Sequence, residues 1–180
     1  MTTEVNIMSS ISINDLNNDN LKPYFEKINN SADIVDNIVN DIILNNCKEL
    51  DDYISYVKSI LSDDNNTVPT PLLEDMTLSL PVLLYQIGEV LEKIGIKEDI
   101  AKAIKTEVFN NYVLNGQGKV TENKLAAEIE TQMESISLVI YQRAYNSIKC
   151  KMDLGLQLLQ SVKKILSKRI TELEVSRSAN

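Results

Sequence analysis

The 180-residue chain has no histidine and no tryptophan, two cysteines, five glycines and four prolines, and only 5% of it is aromatic. Each scarcity excludes something. Without histidine, the commonest general base and the commonest metal ligand are missing. Cys47 and Cys150 lie far apart and alone. Neither a disulfide framework nor a zinc site is expected of them, and they read as two buried thiols. No apolar run reaches membrane length, and the N-terminus lacks the basic-then-apolar order of a signal peptide, so a cytoplasmic location with no membrane contact is expected. No segment alternates with period two over a strand's length. Gly116-Gln117-Gly118 follows a helical pattern and lacks a following Lys-Ser/Thr, so it reads as a turn and not a phosphate loop. Asp63, Asn65, Thr67 and Glu74 match four ligand places of a calcium-loop template. Val68 stands where that template needs glycine, and Pro69 and Pro71 stiffen the segment, so an acidic linker is the reading. No catalytic group, metal or cofactor is expected, and enzymatic activity is the least supported class.

What is abundant is Ile, Leu and Val at helical spacing. From Thr121 to Leu173, apolar or small residues fall at Leu125, Ile129, Met133, Ile136, Ile140, Ala144, Ile148, Met152, Gly155, Leu159, Val162, Leu166, Ile170 and Leu173. Steps of three and four over such a length make one continuous stripe on a helix. Thr121 is the expected N-cap, with Glu122 in the first turn. Unbroken, this helix would be roughly 80 Å long at about 1.5 Å per residue, against about 40 Å for a compact domain of this size. It must bend, with Gly155 the expected place, or share its stripe with a partner chain or a long antiparallel neighbour.

In chain order, residues 1–30 read as a flexible or loosely docked arm with a short helix near Asn20–Ile28. Residues 31–61 read as a long acidic amphipathic helix capped by Ser31, and 62–70 as a linker. Residues 71–180 form a helical hairpin domain. There, a helix starts at Thr70-Pro71 and is interrupted or restarts at Pro81, running to Gly95. Another runs from Lys97 through Tyr112, and Asn115-Gly116-Gln117-Gly118 turns the chain into the long helix. The expected fold is all-α: a helical bundle with coiled-coil character and a long C-terminal helix in an antiparallel αα-hairpin, forming a homo-oligomer.

Net charge is −8, which argues against a general nucleic-acid binder. The distribution is polarised. Residues 1–80 carry four basic and fourteen acidic side chains, whereas Tyr141–Thr171 carries seven basic ones against the single acid Asp153. Basic groups interleaved with Tyr141 and Tyr145 are what single-stranded nucleic acid needs, charge for phosphates and flat faces for bases. A solvated lysine face and core-packed tyrosines are the plainer reading of the same residues.

From about Leu83 to Arg177 the chain resembles the phage recombination-mediator family of the UvsY type. The residues concerned are Leu84-Tyr85, the lysine-bearing helix Lys97–Tyr112, the Tyr112…Gly116…Gly118 turn, the long second helix and Ser167-Lys168-Arg169 near its end. Lys105 stands before the hairpin aromatic, but with an acid at Glu107 where that family would have a second base. The resemblance implies a small, helical, oligomeric protein of a phage-infected bacterial cell that binds single-stranded DNA and assists a recombinase. The implied DNA contacts are Lys102, Lys105, Arg143, Lys149, Lys151, Lys163, Lys164, Lys168 and Arg169.

The alternative expectation is a helical protein–protein interaction module, a virion component or an inhibitor of a host factor, with no nucleic-acid binding. It would meet a protein partner through the acidic first helix at Asp36, Asp41, Glu49, Asp51 and Asp52.

Overall fold

The computed structural model describes residues 18–61 and 68–178. Every regular element among them is helical: α1 (Asn18–Leu61), α2 (Thr70–Asn115), α3 (Val120–Glu130) and α4 (Gln132–Ser178). The all-α expectation holds. The chain divides into two compact units, Met1–Asn37 and Ile38–Asn180. The described part of the first is helix throughout, so Ser31 and Asp33 lie inside α1 and not at its cap. Residues 1–17 and 62–67, most of the expected arm and linker, lie outside the described residues, as do Asp63, Asn65 and Thr67.

In the second unit α2 and α4 run antiparallel. Arg169 meets Thr70, Gly155 meets Leu84, Tyr145 meets Gly95, and Lys97 stands over Tyr141, so contacts step down one helix as they step up the other. The 38–61 stretch of α1 lies along both. Its Tyr53 hydroxyl donates to Asp75 of α2 at 3.1 Å, and its Asp51 pairs with Lys151 of α4. Leu80, Leu84, Ile87 and Leu91 of α2, Cys47, Leu50 and Val57 of α1, and Ala144, Ile148, Leu159 and Val162 of α4 are all buried and form the core. Cys47 is buried as expected; Cys150 is exposed, contrary to expectation, because it falls on the solvent side of α4.

Two expected interruptions do not occur: α2 is continuous through Pro81 and Gly95. An interior proline costs about 3 kcal/mol, but Leu80 and Leu84 flank it in the core, at about 1.5–3 kcal/mol for each buried side chain. Pro81 itself is exposed, on the side where water can reach the carbonyl left without its donor. Gly95 is a packing position, since a Cβ there would stand 3.3 Å from the Tyr145 ring.

Gly155 has the same role in α4. A Cβ on it would lie 2.6 Å from a Leu84 methyl, and the helix runs through it without a break. The long helix is interrupted instead at Thr131. The buried Thr131 hydroxyl donates to the Ala127 carbonyl at 2.8 Å, and the backbone there opens to φ −92°, ψ 16°. A hydroxyl bonding back onto the preceding turn competes with the regular ladder and bends helices.

Candidate functional site

The turn between α2 and α3 is built on one side chain. Asn123 accepts from the Gly118 N–H at 3.1 Å and donates to the carbonyls of Val113 and Gly116 at 3.3 and 3.0 Å. A Cβ on Gly116 would collide with that carboxamide at 2.3 Å, so glycine is needed for space, its φ being an ordinary −68°. Helix α3 starts at Val120, and Glu122 accepts the Lys119 N–H at 3.1 Å, so the cap falls at Lys119 and not at Thr121. The turn holds α3 against the end of α2, and so sets where the first part of the long apolar stripe lies.

The nine basic residues are not brought together. Lys151 is engaged with Asp51, and Arg169 donates to the Val68 carbonyl and the Thr70 hydroxyl, tying the end of α4 to the start of α2. Lys102 and Lys105 are on α2, Lys102 exposed beside Asp99 and Glu107 and Lys105 half-buried. Arg143, Lys149, Lys163, Lys164 and Lys168 are exposed along the outer side of α4, Lys168 within 3.7 Å of Glu172. Tyr141 and Tyr145 are half-buried against α2. The acidic set divides too. Asp41, Glu49 and Asp52 are exposed on α1, Asp51 turns to Lys151, and Asp36, also exposed, belongs to the other unit. Among the described residues no group of three acidic or Cys side chains could hold a metal, and no helix is long and apolar enough to cross a membrane.

The apolar stripe is covered only in its middle. Ile140, Ala144, Ile148, Leu159 and Val162 are buried by α2, whereas Leu125, Ile129, Met133 and Ile136 are 59%, 64%, 71% and 44% exposed. Ile170 and Leu173 are bare at the far end. Beside the first bare segment, α2 contributes exposed Ile100 and Ile104. Between them and the start of α4 opens a cleft of about 390 Å³, lined by Lys97, Ile100, Ala101, Ile104, Met133, Glu134, Ser137 and Tyr141. One Glu134 carboxylate oxygen is buried there with no hydrogen-bond partner.

Sequence reasoning missed Asn123, Glu134 and the Ile100–Ile104 pair as site residues. Asn123 had a faint signal, a side-chain amide five residues after a glycine turn. Glu134 had one as well, an acid three and seven residues before Ser137 and Tyr141 on the same helix face. No family model matches the chain, and no curated protein or solved structure matches it either.

Proposed function

We propose that this protein is a non-enzymatic helical interaction module whose bare apolar surface, at the start of the long stripe, docks onto a helix of another protein. The observation that carries this reading is the exposure of Leu125 and Ile129 on α3 and of Met133 and Ile136 at the start of α4. The step of four within α3 and of three within α4 is the anchor spacing of helix-to-helix docking. Single exposed apolar residues are ordinary, but several exposed on successive short stretches, one of them lining an apolar cleft, mark a contact surface. The test is binding of an uncharged amphipathic helical peptide of leucine and glutamine to the full chain, followed by methyl chemical shifts. Binding with shifts at Ile129 and Met133, lost when the four residues become glutamine, supports the reading. An unchanged affinity in that variant, or no binding, sinks it.

A second reading keeps the exposed cations of α4 as a contact for single-stranded DNA, as the recombination-mediator resemblance implies. Its support is that Arg143, Lys149, Lys163, Lys164 and Lys168 remain exposed on one helix. The withdrawal of Lys151, Arg169 and both tyrosines into internal contacts leaves it fewer groups. Anisotropy of a labelled single-stranded oligonucleotide in a salt series tests it. Binding should weaken with a log–log slope of about 0.7 per phosphate contact. Reversing charge at Lys163, Lys164 and Lys168 should abolish it; binding indifferent to that reversal removes the assignment.

A further inference from the structure

We propose that the cleft between α2 and the start of α4 receives a basic amphipathic helix of the partner, with one lysine or arginine of that helix reaching Glu134. This rests on the interaction-module reading and adds the partner's chemistry to it. A carboxylate oxygen buried without a donor is costly, because it has given up water and received nothing in exchange. Its place in the first turn of α4 is favourable to negative charge. No donor, however, lies within bonding distance of that oxygen. The one cation lining the cleft, Lys97, stands over the Tyr141 ring at 6.0 Å from its centroid. The cleft is thus apolar through Ile100, Ile104 and Met133, its Ser137 hydroxyl is spent on the Met133 carbonyl, and its Glu134 oxygen meets no donor.

The rim points to the same occupant. Glu122 and Glu128 are exposed on α3 near the bare residues, Glu122 also accepting the Lys119 N–H, with Lys124 the exposed base between them; Glu130, exposed too, accepts from the Tyr112 hydroxyl of α2 at 3.5 Å. Apart from Lys97 and Lys124, an approaching helix therefore meets apolar anchors with acids around them, Glu134 among these, which favours a partner of opposite sign and disfavours an acidic one. A cation brought to Glu134 by apolar neighbours would be shielded from water, where a charge-assisted bond is strongest.

The test compares three synthetic helical peptides with the same leucine face and with lysine, glutamine or glutamate on the polar face, each titrated into the full chain. The lysine peptide should bind best, with methyl shifts at Ile100, Ile104 and Met133. Glu134→Gln should weaken it roughly tenfold to a hundredfold, the loss expected for one charge-assisted bond. The glutamine peptide should be nearly indifferent to that change. Neutralising Asp41, Glu49 and Asp52 on α1 should alter the lysine peptide's affinity by no more than about twofold. Equal affinity of the lysine and glutamine peptides, or an equal loss in the α1 variant, overturns the inference and leaves the docking reading standing. Failure of all three peptides overturns both. Hexylamine binding in the cleft in a Glu134-dependent manner, without peptide binding, overturns the helix in favour of a small amine.

Discussion

Two glycines in long helices have opposite consequences. At Gly88 an added Cβ would meet nothing within 4 Å, so Gly88→Ala should gain about 1 kcal/mol from helix propensity alone. At Gly155 the same atom stands 2.6 Å from a methyl of buried Leu84. Gly155→Val should therefore cost about 1–3 kcal/mol through overpacking, and urea unfolding of the two variants measures both. Tyr53 carries a pH dependence. Burial, then its hydrogen bond to Asp75 and the charge of that carboxylate, push its hydroxyl from 10.0 up to about 12. The folded state holds this proton more tightly than the unfolded one. The contribution to stability is complete below pH 10 and is lost as pH rises towards about 12. Tyr53→Phe should flatten that alkaline decline, as read by urea midpoints on either side of pH 10.

Among the elements, α2 shows how packing overrides local signals. Pro81 and Gly95 are the residues that ordinarily end helices, yet both lie inside a 46-residue helix. Their meaning depends on which side of the helix they occupy and on what crosses there. Periodicity reports neither. The turn after α2 is the opposite case: its glycines were legible, and only the reason for them was not. Replacing Asn123 by alanine removes one accepted and two donated hydrogen bonds. At about 1 kcal/mol each, less what water restores, the expected loss is about 2 kcal/mol. Hydrogen exchange should quicken in α3 well before the middle of α4. Uniform exchange across both helices would mean that Asn123 does not hold the turn.

For the molecule as a whole, the acidic first half and basic last half meet at least once within a single chain, at Asp51–Lys151. Both groups are about a third exposed, so this pair contributes modestly, within the range of about 0–1 kcal/mol for surface pairs. Among the described residues the buried apolar ones all belong to Ile38–Asn180. A chain starting at Ile38 should therefore keep its cooperative transition within a few degrees of the full chain's Tm, because a loss of less than about 1 kcal/mol moves Tm only that far. A large drop in calorimetry would show that residues 1–37 support the bundle.

The long apolar stripe was readable from residue spacing, and with it the all-α class, the hairpin and the glycine turn, because helix periodicity is a local property of the chain. Which third of the stripe is covered was not readable. That depends on the register of α2 against α4, set by Leu84 closing on Gly155 and Tyr145 on Gly95. The same register turned Lys151 and Arg169 inward and left Arg143, Lys149, Lys163, Lys164 and Lys168 outside. It also buried one oxygen of Glu134 without a partner. Charge and spacing say what a side chain can do; only the neighbouring helix decides whether it faces water, a partner or the core.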